Sequence, residues 1–206
     1  AAICAAAAAA ALTLASLPLA PPALALTGTA APTFAQAESL MSRYPEFSRD
    51  ERTGLIYRDY RVGEGAQFAE GDRVAVDWAA YTVHRGFVVE GKRLTKGGAF
   101  EGDDADLLRF RVGDGTVIGA VDEAVRGMRA GGVRRLLVPP GPLSYPAGPG
   151  GKQSFESVGP VPSTFSGKRA LDQVLTNPGN IDKSLVIDVE LLEVSPAGGG
   201  PRRPGG

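Results

Sequence analysis

A single cysteine, Cys4, and a single histidine, His84, are all the thiol and imidazole chemistry this chain carries. One cysteine excludes an intramolecular disulfide, and with Cys4 in the first segment the folded part holds no thiolate site. Zinc sites of the Cys/His type, and Cys–His or Ser–His–Asp catalysis, fall away for the same reason. His84 lies in "YTVHRGF", which reads as a strand end or turn, so an exposed loop histidine is expected there. Charge of one sign is also lacking: 22 Lys and Arg against 23 Asp and Glu leave a net charge of −1. With no basic cluster, nucleic acid is not expected as a partner.

Two stretches look like ligand loops and fail. "GPGGKQS", residues 148–154, lacks the Ser or Thr of a phosphate loop at Gln153 and its first glycine at Pro146. "EGDDAD", residues 101–106, groups four carboxylates, but their spacing matches no calcium loop. No lysine or serine has a partner that would mark it as a nucleophile. The sequence therefore calls for no cofactor and no metal.

Residues 1–26 are apolar, alanine-rich and uncharged, but Pro18, Pro21 and Pro22 make them a poor membrane span. Ala35-Gln36-Ala37 fits the small-x-small pattern of a signal peptidase site, so residues 1–37 read as an export signal. The chain does not open on methionine, and a plastid transit peptide ahead of the export signal is the expectation. A plain bacterial secretory signal is the alternative, and composition does not separate the two. The mature protein is expected to begin near residue 38 and to be soluble, with residues 38–53 as a polar lead-in and 196–206 as a disordered tail.

What is present, with 43% of 206 residues hydrophobic, is enough for one domain with a core. "GLIYRDYRVGEG" reads as a strand ending at a glycine turn. "RVAVDWAAYTV" alternates, placing Val74, Val76, Trp78 and Ala80 on one side and Arg73, Asp77 and Tyr81 on the other. "LLRFRVGDG" turns Leu108, Phe110 and Val112 inward, and "VRRLLVPP" is a strand stopped by Pro139 and Pro140. In "KSLVIDVELLEV", Leu185, Ile187, Val189 and Leu191 oppose Asp188 and Glu190. A helix follows "GTVIG": Ile118, Val121, Val125 and Met128 share a face, and Gly131-Gly132 can supply a left-handed cap. A second helix is expected in "TFSGKRALDQVLTNPG", with Ala170, Leu171, Val174 and Leu175 as its stripe and Asn177-Pro178-Gly179 as its stop. The class is α+β: an antiparallel sheet of five to six strands wrapped around one central amphipathic helix, with a helical insertion before the last strand. The inward apolar residues read first as plain core.

The order of these elements carries more. "GDRVAVDW", "FRVGDGTVIGAVDEAVRGMRAGGVRRLLVPP", Tyr145 and "SLVIDVELLEV" together resemble the FKBP-type peptidyl-prolyl cis–trans isomerases over residues 54–195. "TKGGAFEGDD" and the insertion at about 147–182 resemble the plant and algal thylakoid-lumen branch of that family. The resemblance implies a hydrophobic pocket between sheet and helix, no cofactor, proline-containing polypeptides as substrates, and a thylakoid-lumen location, with a bacterial periplasm as the alternative. It places Trp78 where the family usually has tyrosine, and Val89 and Glu90 at a phenylalanine–aspartate pair. Leu108 and Phe110 stand at two phenylalanines. Val117 and Ile118 match outright, and the Ile118 backbone N–H is the donor to a substrate carbonyl. Val121 takes the place of the tryptophan that floors the pocket, Tyr145 that of the loop tyrosine, and Ile187 that of a last-strand phenylalanine.

Rotation about an X–Pro bond needs no nucleophile and no proton transfer, so the missing His and Cys are compatible with that chemistry. A pocket with aromatic positions made aliphatic is expected to be wider and to catalyse weakly. The insertion offers a different reading, a binding module for a photosynthetic membrane complex that docks through Phe155, Phe165 and helix 166–176. Its own apolar stripe packing on its own domain is the stronger expectation. A general chaperone for apolar chains is a third, weaker option.

Overall fold

The computed structural model describes residues 34–84, 86, 88–91, 107–148, 152–177 and 181–196. The apolar leader, the "EGDDAD" turn, the Pro178-Gly179 stop and the tail from 197 on lie outside the described residues, as does the middle of "GPGGKQS".

In chain order the elements are α1 (Phe34–Arg43), β1 (Ser48–Arg49), β2 (Ile56–Arg61), β3 (Arg73–Thr82), β4 (Val88–Glu90), β5 (Leu108–Arg111), α2 (Gly119–Arg126), β6 (Val133–Val138), α3 (Phe165–Leu175) and β7 (Leu185–Ser195). They build one seven-stranded sheet in the order β1-β2-β6-β7-β3-β4, with β5 also paired to β3, and every pairing is antiparallel. The α+β class stands. The strand number exceeds the expected five to six because β1 and β4, of two and three residues, are too short to show a period. β3 is one of two long strands, with β7: its first half pairs with β5 and its last residues with β4. The inward face of that strand thus lies next to β5 at one end and β4 at the other.

Side chains alternate across a strand, so neighbouring residues report on opposite faces of the sheet. On one face, Val74, Val76, Trp78, Leu136, Ile187, Val189 and Leu191 join Val121, Ala124 and Val125 of α2 in the main core. On the other, Ile56, Leu137 and Val186 meet Ala37 and Met41 of α1 together with Tyr44 and Phe47. The lead-in is therefore more than a polar approach, because it covers the back of the sheet. The expected processing point after Ala37 falls inside α1. The outward side of β3 and β7 is also less wet than alternation suggests. Asp77 and Asp188 are buried, and Asp188 is closed off by two bonds from Arg135 at 2.6 and 2.8 Å.

α2 is shorter than its sequence pattern. It ends at Arg126 with Gly127 as C-cap at φ −97°, so Met128 is buried beyond the helix and Gly131-Gly132 are not its cap. Gly131 instead takes φ +84° in the turn into β6, where its N–H meets the Leu191 carbonyl at 2.7 Å. The helix is fastened to the sheet by Arg134. Its guanidinium donates to both Asp59 carboxylate oxygens at 2.6 and 2.9 Å and to the Ala124 carbonyl at 2.9 Å, with its carbon 4.3 Å from the Tyr57 ring centroid.

Arg134→Met keeps the apolar stem and removes every one of these donors, leaving the Ala124 carbonyl buried without a partner. Chemical denaturation is expected to show a loss of about 1–3 kcal/mol. A loss within experimental error would mean the fork does not anchor α2.

Candidate functional site

The site begins at the N-terminus of α2. Ile118 is the N-cap residue, and its carbonyl accepts from Val121 and Asp122 at 3.0 and 3.2 Å. Its own N–H lies outside the helix, and no helical bond can use it. Because Ile118 is 1% exposed, that donor needs an acceptor other than water. "GTVIGAV" folds this way since the extended pair Val117-Ile118 runs from the Gly115 turn, at φ +72°, straight into the helix. Ala120, two residues further, gives its N–H to the Leu143 carbonyl at 2.9 Å, which ties the loop after β6 to the same helix end.

The residues that the resemblance singles out come together around this point. Trp78, Val89, Phe110, Val117, Ile118, Val121, Tyr145 and Ile187 are all buried in one cluster, and Leu108 is partly buried against it. Glu90, buried beside Val89 on β4, accepts from the backbone N–H of Ser163 and of Gly91. Tyr145 is 1% exposed, and burial pushes its phenol pKa well above the ordinary value, so it stays a neutral O–H donor across the ordinary pH range.

The Ile118 N–H and the Tyr145 hydroxyl are both occupied by the chain itself. The Ile118 N–H donates to the Gly159 carbonyl at 2.7 Å, and the Gly159 N–H donates to the Thr116 carbonyl at 2.8 Å. These two bonds make a parallel bridge between Val117 and Gly159. The Tyr145 hydroxyl donates to the Pro160 carbonyl at 2.6 Å. The Gly159–Pro160 peptide is cis, and Pro160 is buried.

Gln153 grips the other end of Tyr145, its amide donating to the Tyr145 backbone carbonyl at 2.8 Å. Phe155 and Val158 pack on the main core. α3 then carries Leu171 and Leu175 into the same core and rests on β4, with Thr164 accepting the Gly167 N–H at 3.1 Å as its N-cap. A Cβ at Gly167 would run into the Val89 carbonyl oxygen, so this approach of helix to strand requires glycine.

The insertion thus covers the cluster rather than standing beside it. Phe155, expected on a docking surface, packs inward; Phe165 alone of that pair is exposed, at 81%. Gly159, Pro160, Thr116, Gln153 and Ser163 are the contributors that sequence reasoning missed. The one usable signal was "VGPVPS" itself, a glycine–proline step between apolar residues inside a domain that resembles a proline-handling family.

A sheet closed on one short helix, with a buried backbone donor at the helix start and a tyrosine hydroxyl opposite, defines the class. The chain belongs to the FKBP-type peptidyl-prolyl cis-trans isomerase family, which matches residues 65–192. It is 48% identical over 155 residues to the chloroplastic peptidyl-prolyl cis-trans isomerase FKBP19 of Arabidopsis thaliana, covering 75% of this chain and 58% of that protein. With the chloroplastic FKBP16-3 of the same plant it shares 36% identity over 114 residues, covering 55% of this chain and 45% of the relative. The chain thus spans about half the length of these relatives. Among solved structures, FkpA from Escherichia coli superposes with a TM-score of 0.50 at 22% identity, over 80% of this chain and 60% of that one, a likeness of fold.

Tyr145→Phe removes the hydroxyl and strands the Pro160 carbonyl in a buried position. Urea unfolding is expected to show a cost of about 1–3 kcal/mol. A neutral substitution would mean that the hydrogen bond contributes nothing to closing the site.

Proposed function

We propose that this domain is a peptidyl-prolyl cis–trans isomerase acting on X–Pro bonds of polypeptides during folding or assembly, with weakened activity. The observation that carries the reading is the pair of buried donors, the Ile118 N–H and the Tyr145 O–H, both directed at the carbonyls of a Gly-Pro step. Family membership supports it, as do the names of the relatives.

The barrier to rotation is the loss of amide resonance, about 18–20 kcal/mol for an ordinary peptide bond. A planar amide carries more charge on its oxygen than a twisted one. Dry walls such as Trp78, Phe110, Val117 and Ile187 disfavour the planar form, while a shape that fits the twisted form favours it. A donor at Ile118 fixes the chain on one side of the bond and Tyr145 fixes it on the other. No proton moves and no covalent bond forms, so this chemistry draws on no cofactor. Weakened activity is the expectation because Leu108, Val121 and Ile187 stand where the resemblance puts aromatic rings. Fewer rings mean a looser fit to the rotating bond.

The chloroplastic relatives support a chloroplast location. The apolar leader and the Ala35-Gln36-Ala37 pattern extend that proposal to the thylakoid lumen, with a soluble mature form that begins near residue 38. No helix among the described residues is long and apolar enough to cross a membrane. A catalytically poor assembly module for a photosynthetic membrane complex is the second reading. The exposed Phe165 at the head of α3 favours it.

Exchange NMR on X–Pro peptides is the test. The domain is expected to raise the interconversion rate above buffer, and Phe110→Leu, which keeps apolar bulk but loses the ring, to lower kcat/KM about tenfold, equivalent to about 1.4 kcal/mol of transition-state binding. A folded wild type with no rate above buffer removes the isomerase reading. A Phe110→Leu rate equal to wild type removes the pocket assignment.

A further inference from the structure

The insertion is joined to the site by more than apolar contact. Residues 158–163, "VGPVPS", lie across the start of α2 with both polar groups of Gly159 in bridge bonds to Thr116 and Ile118. Pro160 gives its carbonyl to Tyr145, and Ser163 gives its N–H to Glu90. Every backbone contact on that path is one that another extended chain could make in its place. None depends on the identity of a side chain in residues 158–163. A Cβ at position 159 would meet the Thr116 carbonyl oxygen at 3.4 Å and Val117 Cγ1 at 3.8 Å, ordinary van der Waals contact, so the step before proline is not restricted to glycine. Phe155 ahead of the segment and Val158 at its start are only partly buried on the core, whereas Pro160 and Pro162 are buried.

We propose that "VGPVPS" is a self-ligand of the pocket: an apolar–small–Pro segment of the chain that holds the donors for a substrate and must lift off before a foreign X–Pro segment can enter. The proposal rests on the isomerase reading of the same site and adds its ligand class and its regulation. Binding to a site open only part of the time is weakened by the reciprocal of the open fraction. Basal turnover is thereby held down beyond what the looser fit of the pocket walls accounts for. The segment is bounded by two firm anchors, Gln153 on the Tyr145 carbonyl and Thr164 capping α3. Residues 158–162 can therefore leave while both ends stay fixed.

The test replaces residues 158–162 with a Gly/Ser linker of equal length in the full chain. Relative to wild type, kcat/KM on an X–Pro peptide is expected to rise about tenfold, as for a site closed nine-tenths of the time. The free peptide FESVGPVPSTF, residues 155–165, is expected to inhibit the variant competitively and to bind wild type at least about tenfold more weakly. A folded variant with unchanged or lower kcat/KM that does not bind this peptide overturns the proposal.

If neither protein turns over X–Pro peptides, the isomerase reading fails by itself. Peptide binding then decides the self-ligand: binding to the variant and not to wild type upholds it, and any other pattern rejects it. Should the variant not fold, wild type decides. Saturation with an X–Pro substrate peptide is expected to shift the Gly159 and Ile118 amide resonances together. Turnover with both resonances unmoved contradicts the proposal.

Discussion

A backbone N–H at the start of α2 has no partner within its helix and no water to turn to. An unpaired buried donor costs about as much as a lost hydrogen bond with desolvation added, roughly 1–3 kcal/mol, so the fold must bring a carbonyl to Ile118. Much of the surrounding structure follows from that demand. The helix begins at Gly119 because the extended pair Val117-Ile118 is bridged to another strand-like segment. The Leu143 carbonyl satisfies the Ala120 donor, and this draws the loop bearing Tyr145 over the helix end. Gln153 then locks Tyr145 from behind. The acceptor for Ile118 can be a foreign carbonyl or the chain's own, and in this structure it is Gly159.

The same demand bears on catalysis. A site that rotates an amide by excluding water must be dry, yet a dry site with free donors is unstable when empty. Covering it with a segment of the same chemistry as the proposed substrate resolves the conflict, since the donors are satisfied in either state. The surrounding framework is built to keep still while that exchange takes place. Arg134 holds α2 to the sheet through Asp59, and α1 shields the back of the sheet through Phe47, Ile56 and Leu137. The mobile share of the energy is left to a few backbone bonds and the apolar contacts of Val158, Pro160 and Pro162.

Much of the frame was legible in the sequence. β3, β5 and β7 announce themselves by alternation, β2 and β6 by the glycine turn and the proline pair that end them, and α2 and α3 by their apolar stripes. Trp78, Leu108, Phe110, Val121 and Ile187 could be placed because they ride on those periods and Val117-Ile118 because they open the helix at "TVIG", whereas Val89, Glu90 and Tyr145, on a three-residue strand and in a loop, were placed by the family resemblance alone. Elements of two or three residues, β1 and β4, have no room for a period. The lead-in looked polar because its inward stripe of Ala37, Leu40, Met41 and Tyr44 is a single short helical face that starts at the expected processing point, and Phe47 lies beyond the Tyr44–Phe47 turn. Gly127 ended α2 before the more obvious Gly131-Gly132 pair. Most hidden was the cover over the site. Its hydrogen bonds to α2 and Tyr145 use the backbone of residues 159 and 160, and backbone groups leave no mark on the pattern of side chains.

Native-state amide hydrogen exchange at Ile118 examines the cover most directly, because that N–H is protected by Gly159 alone. If the segment lifts locally, the Ile118 amide exchanges with a free energy well below that of the Ile187 and Val189 amides of β7, and independently of denaturant at low concentration. If Ile118 exchanges only with those core amides, in a single global unfolding, the segment is a permanent part of the core and the site is closed for good.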